Sequence, residues 1–165
     1  MNTLVAVASK HGSTRAIAEA IGEELRRAGH TVEVREAQGT LSVEPYDAVV
    51  IGSAIYMGQW MAGAKEFVAQ NRERFGGKAV WLFSSGPLGE DYPEGMGIPA
   101  TLDELLAQTG AREHQVFVGR LDKSALGLRE RIIARLVKAP EGDFRDWDAI
   151  RGWANRIAAA LESGG

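Results

Sequence analysis

Short apolar runs alternate along this chain with longer stretches of helical periodicity, and that alternation limits the fold more than any other feature. Residues 4–8 form the first run. Ile17, Ile21 and Leu25 then recur at helical spacing, and Gly29 stands where a helix would stop. Residues 31–35 alternate Val32 and Val34 with charge, which suits an edge strand. Residues 48–51 are a second buried run, closed by Gly52. A weaker helix follows, with Ala64, Phe67 and Val68 on one side. Residues 79–83 read as the next strand. Pro99 opens another helix, with Leu102, Leu105 and Leu106 inward and Gly110 at its end. Residues 115–118 make a fifth strand. Residues 146–161 form an amphipathic helix with Ile150, Trp153, Ile157 and Leu161 on one stripe. Strands that are apolar throughout need cover on both faces, and right-handed crossovers supply it. The predicted fold is therefore α/β, a doubly wound five-stranded parallel sheet of order 2-1-3-4-5. At 165 residues the chain suits a single domain spanning 1–165.

Composition removes several function classes. Lys and Arg total 19 against 22 Asp and Glu, a net charge of -3, which argues against a nucleic-acid partner. Without cysteine there is no disulfide, thiolate zinc site, cysteine-ligated iron–sulfur cluster or cysteine nucleophile. No apolar run approaches the roughly 20 residues of a membrane span, so none is predicted. The first residues lack a basic start and a long apolar run, so no signal peptide is expected and the expected location is the cytoplasm.

In a doubly wound sheet, ligands bind beyond the carboxyl ends of the strands, where the strand order reverses. The loops after strands 1, 3 and 4 meet there. The first contains Ser9, Lys10, His11, Gly12, Ser13 and Thr14. Hydroxyls, a glycine and backbone N–H groups at a helix N-terminus are the chemistry of a phosphate cradle. The same residue types also serve as an ordinary helix cap. Neither G-x-G-x-x-G nor G-x-x-x-x-G-K-[ST] is present, which weakens nicotinamide binding and nucleotide hydrolysis. There is no G-x-S-x-G elbow. The second loop holds Ala54, Ile55, Tyr56, Met57 and Gly58, followed by Gln59 and Trp60. Such apolar and aromatic residues at a switch point suit a flat aromatic ligand, or else pack under the next helix. The third holds Ser84, Ser85, Gly86, Pro87 and Leu88. It offers small hydroxyls and backbone groups to a ring edge. It opens the Gly- and Pro-rich stretch 86–97, read as a long functional loop.

Together these loops resemble those of the flavodoxin family, and the resemblance covers nearly the whole chain. The first loop of that family reads T/S-x-T-G-x-T. Ser9, Gly12 and Thr14 match it, while His11 takes the place of the middle hydroxyl. Within the family the chain is similar to the flavodoxin-type protoporphyrinogen dehydrogenases, which use a quinone as acceptor. Their first loop has the form S-x-x-G-x-T. Their second, I-G-x-S-I-x-Y-G, is similar to residues 51–58, with Tyr56 and Met57 in a different order. They also carry G-x-L after the fifth strand, then a basic apolar helix, then D-W opening the last helix. Gly119, Arg120 and Leu121, an extra helical segment at about 124–138, and Asp146 with Trp147 follow that plan.

The resemblance implies a flavodoxin-like fold and FMN as cofactor. Ser9, Lys10, His11, Gly12, Ser13 and Thr14 would hold its phosphate. Ala54, Ile55, Tyr56, Met57 and Gly58 would border its ring with Ser84, Ser85, Gly86, Pro87 and Leu88. It implies an oxidoreductase that dehydrogenates protoporphyrinogen IX and passes electrons to a quinone. The alternatives are a soluble FMN electron carrier serving a redox partner protein, and a ligand-free interaction module. No catalytic side chain and no metal ligand is assigned; His11 and His114 show no partners in the sequence. The helix expected at 126–138 sets Leu128, Ile132, Ile133, Leu136 and Val137 beside Arg129, Arg131, Arg135 and Lys138. It is read as docked on the sheet edge, with peripheral contact at the inner membrane face as the other reading.

Overall fold

The computed structural model describes residues 1–10, 12–86, 99–117, 120–121, 142–143 and 145–164. Five parallel strands form the main sheet: β1 (Asn2–Ala8), β2 (Thr31–Glu36), β3 (Ala48–Tyr56), β5 (Ala79–Ser85) and β6 (His114–Phe117). Their spatial order is β2-β1-β3-β5-β6, with β2 at an edge, as the sequence predicts. A further short strand, β4 (Gln59–Trp60), folds back antiparallel on the end of β3. That strand makes the numbering depart from 2-1-3-4-5 while leaving the predicted order intact.

Helices cover both faces. α1 (Ser13–Arg27) and α4 (Trp147–Ser163) lie on one. There Ile17, Ile21, Leu25, Ile150, Trp153, Ile157 and Leu161 pack against Val5, Val7, Val50, Trp81 and Phe83. α2 (Ala62–Asn71) and α3 (Leu102–Thr109) cover the other. There Ala64, Phe67, Val68 and Leu105 meet Leu4, Ala6, Val49, Ile51, Val80 and Leu82. Double-sided burial is why the central strands read as unbroken apolar runs. Asp146 caps α4 by accepting from the Ala149 N–H at 3.0 Å. Gly110 ends α3 in the left-handed conformation at φ 64°. A separate pair, β7 (Arg120–Leu121) and β8 (Gly142–Asp143), is antiparallel. The extra helical segment predicted at 124–138 lies outside the described residues, as do Val118, His11, Pro87 and Leu88.

The structure corrects one boundary. β3 does not stop at Gly52 but runs four residues further, to Tyr56. Gly52 is a place of close approach within the strand. A Cβ there would lie 2.0 Å from the ring of Phe83, its ladder partner on β5. The ring lies 6.0 Å from Phe117 and 6.1 Å from Trp153, so it has no free direction in which to retreat. Gly52→Ala should therefore destabilise the fold by roughly 1–3 kcal/mol through overpacking. An unchanged midpoint in urea denaturation would show that the ring moves aside freely.

Candidate functional site

The register of the central strands sets three loops side by side. Ala8 pairs with Ser53, and Ser53 with Ser84, so β1, β3 and β5 deliver their chains to one edge of the sheet. In the first loop the Gly12 N–H donates to Ser9 Oγ at 3.1 Å. Gly12 takes φ 83° and is the N-cap of α1. A glycine cap carries no oxygen to satisfy the first N–H groups, and no side-chain cap bond is made there. The first turn holds no acidic residue. The positive end of the helix is therefore not neutralised by its own sequence. Thr14 is buried beneath this turn. Arg145, just before α4, donates through Nη1 to the Ser13 carbonyl at 3.3 Å and lies over Trp147, 4.5 Å from its ring centroid. A guanidinium thus stands beside the same helix start.

The second group of residues is the end of β3 and its turn. Tyr56 pairs with Gln59, leaving Met57 and Gly58 as a two-residue turn. Both have positive φ, 54° and 74°, the geometry that matches the twist of a tight hairpin. Tyr56 and Met57 stand out in solvent, 43% and 73% exposed. Lys10 reaches across from the first loop, its Nζ 5.4 Å from the centroid of the Tyr56 ring. Ala54 and Ile55 are half-buried. Trp60 takes the second of the two readings open for this loop: its side chain is buried in the core on the α2 side. The reason is alternation along a strand, which points Trp60 inward when β4 pairs with β3.

The third loop starts at Gly86, with φ 121°. Its N–H donates to the Phe117 carbonyl at 2.9 Å, and a Cβ there would lie 3.7 Å from Ile55 Cβ. Only glycine adopts this conformation without strain. The returning chain is tied as well: the Ala100 N–H donates to the Gly58 carbonyl at 3.0 Å. Ser85 is buried at the top of β5. Ser84 goes the other way. Its hydroxyl lies within the core, accepting from Trp60 Nε1 at 2.8 Å and lying 2.7 Å from His114 Nε2.

Most of the predicted residues are thus brought together: Ser9, Lys10, Gly12, Ser13 and Thr14 beside Ala54, Ile55, Tyr56, Met57 and Gly58, with Ser85 and Gly86 adjoining. Sequence reasoning missed Arg145, and it missed the partners of Trp60 and His114. No spacing rule links those residues; only the β3–β4 fold-back and the β5–β6 ladder bring them together. A cleft of about 480 Å³ lies at the opposite end of the strands, beside Asp47, Lys78 and Arg112. Its cations serve the fold, Lys78 donating to the Tyr46 carbonyl and Arg112 lying over Trp81. None of the three loops reaches it. Among the described residues no cluster of His, Asp and Glu has the makings of a metal site.

The family model for the flavodoxin domain matches residues 4–148. The chain belongs to the flavodoxin domain family. Among curated proteins none matches this flavodoxin domain. Solved structures share its fold. A flavodoxin from Streptococcus pneumoniae superimposes with a TM-score of 0.67 at 20% identity, covering 97% of this chain and 99% of that one. Flavodoxin 2 from Bacillus cereus gives 0.65 at 24% identity, covering 98% and 99%. Rubredoxin oxygen:oxidoreductase from Desulfovibrio gigas gives 0.66 at 15% identity, with 98% of this chain matching 36% of that one.

Burial lowers the pKa of His114 below its ordinary value of 6.5. As pH falls through 6.5 the unfolded flavodoxin domain takes up this proton before the folded one does. Stability supplied by the neutral imidazole is present above 6.5 and is lost as pH falls through the lower, folded value. His114→Gln keeps an acceptor but cannot titrate, so its urea midpoint should fall less steeply over that interval. Equal slopes for both proteins would contradict this account.

Proposed function

We propose that this flavodoxin domain binds FMN and transfers electrons through it. The observation that carries the reading is the uncapped start of α1 lying next to the exposed hairpin tip. The donor set fits the cofactor. The α1 N-terminus, with Gly12 left-handed and no acid in its first turn, suits a phosphate. Tyr56 offers an exposed ring within reach of Lys10, and Gly58 and Gly86 keep side chains away from the space between the loops.

Ser9, Lys10, His11, Gly12, Ser13 and Thr14 would hold the phosphate. Ala54, Ile55, Tyr56, Met57 and Gly58 would lie along one side of the ring, and Ser85, Gly86, Pro87 and Leu88 along another. Ser84 would act from below, through Trp60. When bound, FMN supplies one- and two-electron chemistry, and the protein positions it and tunes its surroundings. A redox partner protein then docks where Tyr56 and Met57 are exposed. No helix among the described residues is long and apolar enough to cross a membrane.

The test is a visible spectrum after incubation with FMN and desalting, followed by titration with FMN and with riboflavin. FMN should be retained and should bind roughly tenfold tighter than riboflavin, since a partly buried phosphate at a helix start gains up to about 2 kcal/mol. Thr14→Glu, checked for native circular dichroism, should abolish retention. Colourless protein, or equal affinity for the two flavins, would overturn the proposal. The interaction-module alternative predicts that colourless result.

A narrower reading is dehydrogenation of a porphyrinogen with a quinone as acceptor. Two features support it: β7 and β8 pair antiparallel, and Asp146 and Trp147 open α4. This is the plan of the dehydrogenases that the sequence resembles. FMN-loaded protein should oxidise protoporphyrinogen anaerobically at a rate that depends on added quinone. Absence of turnover in loaded protein would leave the electron carrier.

A further inference from the structure

A chain of hydrogen bonds runs from the hairpin tip to the last strand of the sheet. Trp60, two residues beyond the Met57–Gly58 turn, pairs with Ile55 and is 2% exposed. Its indole N–H can only donate, and it donates to Ser84 Oγ at 2.8 Å. Ser84 is fully buried and lies 2.7 Å from His114 Nε2, on β6. We propose that His114 is a positioning residue for the β3–β4 hairpin. Acting through the Ser84 hydroxyl, it fixes Trp60 and thereby the stance of Tyr56, Met57 and Gly58. Its consequence for ligand binding rests on the FMN reading given above; the mechanical link does not.

Proton counting sets the direction of the chain. Ser84 accepts from Trp60, and among the described residues His114 is the other partner of its hydroxyl. The hydroxyl proton finds an acceptor when Nε2 offers a lone pair, which assigns the neutral imidazole with its proton on Nδ1. Burial alone disfavours the charged ring, in keeping with this tautomer. Among the described residues no charge adds to that effect. Arg112 and Glu113 immediately precede His114 in the chain, Arg112 lying over Trp81. The acids of α3, Asp103 and Glu104, are exposed. Protonation turns Nε2 from acceptor into donor. Ser84 Oγ then faces two donors, and its own proton is left without an acceptor. The cheapest relief is rotation of the serine hydroxyl with a shift of Trp60, and β4 moves with it.

The test follows the indole N–H of Trp60 by nuclear magnetic resonance in protein without flavin, assigned with Trp60→Phe. The titration runs between about pH 4.5 and 8, across the range in which histidines change charge. The Trp60 indole and the amides of residues 56–58 should shift together with the His114 ring. In His114→Gln they should stay flat, because the amide oxygen accepts at all these pH values. His114→Leu should displace the indole resonance at every pH. FMN affinity should fall roughly tenfold in His114→Leu and change little in His114→Gln. A His114 ring that titrates while Trp60 and residues 56–58 stay still would overturn the proposal. Coupled titration in a protein that binds no FMN at any pH would refute the cofactor reading and uphold the positioning role. If His114→Leu does not fold, the wild-type titration decides alone.

Discussion

Three parallel strands held in one register are the constraint on which the rest of this molecule depends. Ala8, Ser53 and Ser84 are ladder neighbours, so β1, β3 and β5 deliver their chains to the same edge of the sheet, β3 running on as far as Tyr56. Burial on both faces fixes that register. A slip of one residue would exchange the α1 face of a strand for its α2 face. At Gly52 the register is held more tightly still. The Phe83 ring occupies the place of a side chain, and a slip would put Ile51 or Ser53 beneath it. The lock lies about one layer below the loops, so error at the core would propagate directly to the site.

The hairpin at the end of β3 is secured differently. An apolar side chain at position 60 would be content in any well-packed pocket. An indole needs an acceptor for its N–H, and that requirement selects one arrangement from many. Ser84 satisfies the indole and in turn needs an acceptor, which His114 supplies. Each demand fixes the next partner. The polar chain contributes less to stability than the apolar layers around it, because net hydrogen-bond energies are about 1 kcal/mol. Its contribution is specificity of position, and it spans β4, β5 and β6 where apolar contact alone would allow sliding.

The sequence was most legible where one pattern had one meaning. Residues 4–8 and 79–83 could only be buried strands, and Ile150, Trp153, Ile157 and Leu161 could only be the inner stripe of a helix; all lie in the core except Ala79, which is half-buried against it. Gly29 and Gly110 mark helix ends as expected, with φ 95° and 64°. Gly52 misled because glycine has two uses. It ends strands, and it also admits a neighbouring ring, and the choice depends on Phe83, a residue remote in sequence. Met57 at φ 54° was illegible for a related reason: a tight hairpin turn prefers Asn or Gly there, so the turn gave no signal. The two readings of Trp60, facing a ligand or packing under the next helix, stayed open because its strand is two residues long, too short for any periodicity to declare a face. The loop residues of the site were legible as chemistry, and their convergence came from the strand order rather than from any residue.

Lys10 over Tyr56 raises the question of whether the protein's own groups close the space proposed for the flavin ring. Magnitudes answer it. A cation–π contact at an exposed site is worth about 0.5–1 kcal/mol. Left-handed backbone at a residue other than glycine, as at Met57, costs about 1–2 kcal/mol. Against these, a ligand held at micromolar affinity gains about 8 kcal/mol. Loss of the contact between Lys10 and Tyr56 is therefore a minor cost of entry, and Lys10 remains on the loop that would carry the phosphate. The contact across the exposed tip is too weak to exclude a planar ligand, while Trp60 and Ser84 beneath it are well bonded and set its stance. Such an arrangement would let the proposed ring enter without loosening the sheet beneath it.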